Sequence, residues 1–139
     1  MSFVLDASMA LAWYFRDELT ALSRAVSAMS DEQGVVVPGH WLVEVGNGML
    51  VGERKGRAGP DDTVRFAERL NLLDIEVDAT GAGEVVHRIL PLARAHGLTV
   101  YDTLYLELAE RRGLPLASLD GQLNAAAKRV GIPLIERLA

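Results

Sequence analysis

The sequence predicts an α/β protein in which helices cover a mostly parallel sheet. Two observations carry this. Short apolar runs alternate with stretches of helical periodicity along the chain. Most of those runs are continuously apolar, as strands buried on both faces must be. With 139 residues, 50% of them hydrophobic, the chain has the length of a single domain, 1–139, and enough apolar mass for a core.

Each element has its own signal. Ser2 to Asp6 reads as a short buried strand, Phe3-Val4-Leu5 running into an acid. A helix follows from Ala7 or Ser8 to Phe15. The next runs from about Leu19 to Ser30, with Leu22, Ala25, Val26 and Met29 at helical spacing. Gly34 breaks the chain, and Val35-Val36-Val37 forms a second strand ended by Pro38. A long helix spans about Trp41 to Lys55. Pro60 opens another, with Asp61 and Asp62 suited to its first turn. Leu72 to Val77 reads as a third strand. Its acids Asp74, Glu76 and Asp78 alternate with apolar residues, as on a half-exposed strand. Helices are expected over Ala82–Ala95 and Val100–Arg112, the latter punctuated by Gly113 and Pro115. Leu116 to Leu119 is a fourth strand, Gln122 to Val130 a last helix, and Leu134-Ile135 an edge strand.

Composition excludes several functions. With no cysteine, disulfides, zinc thiolate sites and thiol nucleophiles are ruled out. The net charge of −5, from 14 Lys and Arg against 19 Asp and Glu, argues against a global basic field for nucleic acid. No apolar run reaches the roughly 18 residues of a membrane span. The start of the chain lacks the basic stretch of a signal peptide, so a cytoplasmic location is expected.

Most acids have plain explanations at turns, helix starts or solvated faces; Glu107 and Glu110 are read as solvated. Four resist. Asp6 ends the first strand and Asp120 follows the fourth. Glu44 lies among Trp41, Leu42, Val43 and Val45, and Asp102 among Leu98, Val100, Leu104 and Leu106. An unpaired carboxylate that leaves water costs several kcal/mol or becomes protonated. Asp6 and Asp120 could each cap a helix, and Glu44 or Asp102 could pair with an arginine. Taken together, the four lie where a parallel sheet gathers a single site, outside the carboxyl ends of its strands. The sequence offers no matching set of apolar-flanked cations. A divalent cation, Mg2+ or Mn2+, meets the need, because these hard ions prefer oxygen ligands.

At these residues the chain resembles a known family. Asp6-Ala7-Ser8 followed by Trp13 is similar to the opening motif of PIN-domain ribonucleases, above all the VapC-type toxins of bacterial toxin–antitoxin pairs. Glu44 with Asn47 resembles the second acidic motif. The run from Leu98 to Ala109 around Asp102 resembles the third almost throughout. Ser118-Leu119-Asp120 resembles the fourth, with Ser where Thr is more usual. The resemblance spans essentially the whole chain. It implies a three-layer α/β/α sandwich, a Mg2+- or Mn2+-dependent endoribonuclease site, and neutralisation by a cognate VapB-type antitoxin. A homodimer, extending to a larger toxin–antitoxin assembly, is a further expectation of the family.

On this reading Asp6, Asp102 and Asp120 are the main metal ligands, direct or through water. Glu44 binds a second ion or orients the attacking water. Ser8 and Ser118 hold metal-bound waters or position ligands. Asn47 faces the same side of its helix as Glu44 and donates to a carboxylate or phosphate. Arg54, Lys55 and Arg57 form the densest basic patch and are candidates for RNA contact; Arg111-Arg112 is another. His40, His87 and His96 are read as surface or capping residues, since no pair has metal-ligand spacing. Tyr101 and Tyr105 flank Asp102 and are read as core, with base stacking as the alternative. The early helices, with Met9, Leu11, Trp13, Phe15, Leu19, Leu22, Val26 and Met29, carry apolar surface for the core and for a partner segment or second copy.

Three rival readings stand beside this one. The domain could bind RNA or protein without cleaving, or it could be a cellular RNA-processing nuclease. A phosphotransferase of the haloacid dehalogenase type also opens on a strand-end Asp, but it needs a second Asp where Ser8 stands.

Overall fold

A computed structural model describes residues 1–136. Four parallel strands form its sheet: β1 (Ser2–Leu5), β2 (Gly34–Pro38), β3 (Ile75–Asp78) and β4 (Leu116–Ala117), in the order β3-β2-β1-β4. Phe3, Val4, Leu5, Val35, Val37, Leu116 and Ala117 are all buried, which is why these runs are apolar on both faces. Leu134 extends the edge through an isolated parallel bridge to Leu116. No helix among the described residues is long and apolar enough to cross a membrane.

The helices are α1 (Ala7–Tyr14), α2 (Ala21–Glu32), α3 (Trp41–Arg54), α4 (Pro60–Asn71), α5 (Ala82–Glu84), α6 (Leu90–His96), α7 (Val100–Arg112) and α8 (Gly121–Val130). A 3-10 turn, Arg16–Glu18, joins α1 to α2. Helix α7 lies against β1, β2 and β4 with α6 and α8 beside it, while α1 gathers α2, α3 and α4. This is the expected three-layer α/β/α arrangement. Helix α2 starts where Thr20 accepts from the Ser23 amide at 3.1 Å and Ser23 Oγ accepts from the Thr20 amide at 2.8 Å, a reciprocal cap.

Two helical glycines bring α1 against α3. A Cβ at Gly48 would strike Leu11, and one at Gly52 would strike the Phe15 ring. Larger residues there would push α3 away and carry Glu44 with it.

The structure corrects the sequence reading at several points. The third strand begins at Ile75, not Leu72, because Leu72 and Leu73 close α4 through amide bonds to Arg69 and Leu70 carbonyls. The side assignment of that strand is also corrected: Val77 is exposed and Asp78 is buried. Asp78 is drawn inward by Arg111 and Arg112, whose guanidinium nitrogens lie 2.6 and 2.8 Å from its two carboxylate oxygens. The helix expected over Ala82–Ala95 carries a π turn, Val85–Ile89. Pro91 explains it, since its ring lacks an N–H and crowds the carbonyl four residues earlier. Glu107, expected on a solvated face, is buried, with Arg111 Nε donating to it at 2.7 Å. Finally, the early helices are mostly core. Met9, Phe15 and Val26 are buried, and Leu11, Trp13, Leu22 and Met29 pack on the core.

Candidate active site

The strand order runs outward from β1 in both directions, to β2 on one side and β4 on the other. A ligand crevice forms at such a reversal, beyond the carboxyl ends of the two strands. Asp6 and Asp120 follow those ends. The Asp6 amide donates to the Ala117 carbonyl at 3.0 Å, which ties the two chain segments together just below the site.

Asp6 holds the N-cap position of α1 but makes no side-chain cap bond. Its Oδ2 instead accepts from Ser8 and Ser118 hydroxyls, each at 2.6 Å. Oδ1 has no hydrogen-bond partner among the described residues. Burial pushes the Asp6 carboxyl above its usual range, against the two serine bonds; Glu44 and Asp120 add to the rise. The serines also position the fourth motif. Ser8 Oγ accepts from the Leu119 amide at 3.0 Å, and Ser118 Oγ from the Asp120 amide at 2.9 Å.

Asp120 does cap its helix, its Oδ1 accepting from the Leu123 amide at 2.9 Å. The cap reading therefore holds for this residue, and its charge also bears on Asp6 and Asp102 across the crevice. Asp102 sits in the first turn of α7, whose cap Thr99 accepts from the Asp102 amide at 3.1 Å. Partial burial, then the charges of Asp120, Asp6 and Glu44, push its carboxyl up to about 6. All four sequence-predicted acids thus act on one another across the same crevice.

Glu44 is the exception in electrostatics. Burial raises it, but contacts from His40 and Tyr105 outweigh burial and leave its carboxyl below the usual range. Tyr105 Oη donates to Glu44 Oε1 at 2.7 Å and accepts from the Ala7 amide at 3.3 Å. One phenol therefore joins α3, α7 and the residue after Asp6. His40 Nε2 also lies 2.7 Å from Glu44 Oε1, a close polar contact rather than an aligned hydrogen bond. Sequence alone reads His40 as a surface or capping residue and Tyr105 as core, with base stacking as the alternative; His40 does stand at the N-cap of α3 and Tyr105 is fully buried, but the contacts of both to Glu44 go unread. The signal that could have found them is spacing: His40 stands four residues before Glu44, and Tyr105 three after Asp102, both on shared helix faces.

The remaining candidates divide. Asn47 is exposed on α3 and makes no hydrogen bond among the described residues. Arg57 is already engaged. Its guanidinium bonds Asp17 at 3.0 Å and Glu18 at 2.8 Å and sits 3.8 Å over the Phe15 ring. Arg54 and Lys55 have no ion-pair partner among the described residues, and Arg54 lies about 15 Å along α3 from Glu44 at 1.5 Å per residue. Arg111 and Arg112 are committed to Asp78, Glu76 and Glu107.

The donor set suits a hard divalent cation: four carboxylates facing one another with no arginine or lysine among them. Among the described residues no three acidic or histidine side chains converge closely enough to grip an ion directly. A donor set of this kind fits an ion that keeps several of its own waters, as Mg2+ does.

Known proteins resemble the chain along nearly its whole length. The PIN-domain family profile matches residues 3–129. The chain is 32% identical over 123 residues to Ribonuclease VapC3 of Pyrobaculum aerophilum, covering 88% of this chain and 92% of that one. Its fold is similar to that in the crystal structure of PAE2754 from Pyrobaculum aerophilum, with a TM-score of 0.68 over 98% of this chain and 93% of the other, at 24% identity.

Proposed function

The chain belongs to the PIN-domain family, in its VapC-type branch, and on that premise we propose that it is a Mg2+- or Mn2+-dependent endoribonuclease toxin. The observation that carries the proposal is the gathering of Asp6, Glu44, Asp102 and Asp120 beyond the carboxyl ends of β1 and β4, with no arginine or lysine paired to any of them among the described residues. A divalent ion bound there would supply an activated water and neutralise charge on the phosphoryl oxygens.

The chain's own residues have distinct tasks. Asp6, Asp102 and Asp120 would hold the ion. Ser8 and Ser118 fix Asp6 through its Oδ2. Glu44, held below the usual carboxylate range by His40 and Tyr105, would orient the attacking water or hold a second ion. Asn47, three residues on, is placed to donate to a phosphate oxygen. Arg54 and Lys55, rather than the paired Arg57, meet the RNA backbone beyond the site.

A cleft of about 310 Å3 lies between α1 and α4, lined by Trp13, Tyr14, Leu19 and Phe66 with Arg16, Arg65, Arg69 and Asp62. Arg65 already pairs with Asp62 and Arg69 with Asp31, which leaves Arg16 without an ion-pair partner among the described residues. The apolar lining with this one cation fits an amphipathic segment that carries an acid, and we assign it to the cognate antitoxin. A homodimer formed from one such domain per chain, in the cytoplasm, completes the proposal. The exposed Leu50 and Val51 of α3 support a self-contact better than the early helices do.

The test is cleavage of single-stranded RNA by purified protein with Mn2+. Wild type is expected to cut internally, with activity abolished by EDTA and reduced by roughly a hundred- to a thousandfold in Asp6→Asn, the order of loss found on removing a group that stabilises developing charge. Cleavage that survives both EDTA and Asp6→Asn would refute the proposal.

A further inference from the structure

Three of the four acids are each preceded by an exposed apolar side chain: Val43 before Glu44, Tyr101 before Asp102, and Leu119 before Asp120. Large apolar groups on a rim of carboxylates are costly in water and point to an apolar occupant. Tyr101 differs from the other two. It is aromatic and 62% exposed, and its ring is held from behind. The His40 ring packs 5.5 Å from the Tyr101 ring at 56°, and 5.2 Å from the Tyr105 ring at 70°. His40 in turn touches Glu44 Oε1 at 2.7 Å. Yet His40 Nδ1 is buried with no partner among the described residues. An unpaired buried nitrogen costs stability. Its compensation is the wedge it forms between two tyrosines and an acid of the site.

We propose that Tyr101, backed by His40, is a platform on which one base of the RNA substrate stacks beside the acid cluster, and that His40 is a positioning residue linking this platform to Glu44. The proposal rests on the nuclease reading above and adds a base subsite to it. A base is tied to its phosphate through one ribose. A flat ring in the residue before Asp102 therefore holds the nucleotide next to the scissile bond. Stacking accepts every base, because each has a π face, and any preference among bases at this subsite follows stacking strength rather than hydrogen-bond readout. The same contact fixes the sugar–phosphate relative to Glu44, because His40 touches both Tyr101 and Glu44.

The experiment uses the full chain with Mn2+ and fluorescently labelled single-stranded RNA hexanucleotides carrying each base in turn at the two central positions. Removal of one stacked base by alanine substitution corresponds to roughly 5- to 150-fold. Tyr101→Ala is therefore expected to raise KM about tenfold and to flatten the preference among bases, while kcat at saturation changes less. Tyr101→Phe keeps the ring and is expected to restore both KM and preference. His40→Ala is expected to lower kcat as well as raise KM. An unchanged melting temperature in Tyr101→Ala separates the effect from a structural one. If wild type cleaves and Tyr101→Ala keeps its KM and base preference, the platform is refuted and the nuclease reading stands. The exposed ring then belongs to a protein contact. If wild type neither binds nor cleaves any of the oligonucleotides, both readings fall together.

Discussion

Two regions of this molecule bury carboxylates, and they resolve the cost in opposite ways. At the edge strand β3, Asp78 and Glu107 are buried and are met by Arg111, Arg112 and Arg88. Although burial would raise Asp78, the two arginines hold its carboxyl below the usual range. At the carboxyl ends of β1 and β4, Asp6 and Asp102 lie near two further acids and have no cation. Both carboxyls are raised. A buried acid with a matched arginine is part of the scaffold. A buried acid surrounded only by acids is destabilising by itself, and the fold keeps it for what it can hold.

The comparison can be broken most forcefully at Arg111. Arg111→Ala leaves Glu107 and Asp78 short of a partner, and removing one member of a buried pair costs about 3 kcal/mol. Urea unfolding should show that loss, with RNA cleavage per folded molecule retained. A variant as stable as wild type would mean the arginine cluster is only surface decoration.

The acid site should respond in the opposite direction. In metal-free protein, Asp102→Asn is expected to raise stability at pH 7. The folded carboxyl titrates near 6 against about 3.9 in the unfolded chain. Between those values the native state holds a proton that the unfolded state has lost, so wild-type stability falls as pH rises through the window. Asp6, Glu44 and Asp120 face Asp102 and generate the penalty. The side chain is partly open to solvent, so screening reduces the gain to about 1 kcal/mol. The advantage of the variant should vanish by about pH 4. Asp78 has the reverse sign: its contribution is complete at neutral pH and is lost as pH falls through its depressed folded value. Melting curves from about pH 3 to 8 with EDTA present would separate the two trends.

The smallest effect lies at the end of α3. Arg54→Gln with Lys55→Gln should leave stability unchanged and reduce the salt slope of RNA binding by about 0.7 for each phosphate no longer neutralised. Arg57→Gln should leave that slope alone and loosen the 3-10 turn, because its charge is already met by Asp17 and Glu18. If the slope moves only in Arg57→Gln, the assignment of the two cations is reversed.

Much of the fold was legible because buried parallel strands must be continuously apolar. Phe3-Val4-Leu5 and Val35-Val36-Val37 announce themselves in that way. The edge strand β3 did not, since an alternating pattern assigns faces only when the acids point to water. The long reach of two arginines from α7 turned Asp78 inward, and nothing local to the strand encodes that. The π turn at Val85–Ile89 was hidden because Pro91 signals a break without saying how the backbone absorbs it. At the site, the four acids stood out by their apolar neighbours. Tyr105 and His40 did not, because aromatic residues at helical spacing serve a core equally well. Tyr105 does both: it is fully buried and still directs its hydroxyl to Glu44.

The central claim is that the uncompensated acids form a site for a divalent cation, and calorimetric titration of Mn2+ tests it most directly. Wild type and Asp102→Asn would be titrated side by side at pH 7, after confirming that both are folded. The account predicts heat of binding in wild type that is lost or weakened at least tenfold in the variant, together with a rise in melting temperature on adding Mn2+ confined to wild type. Equal Mn2+ affinity in the two proteins would contradict it.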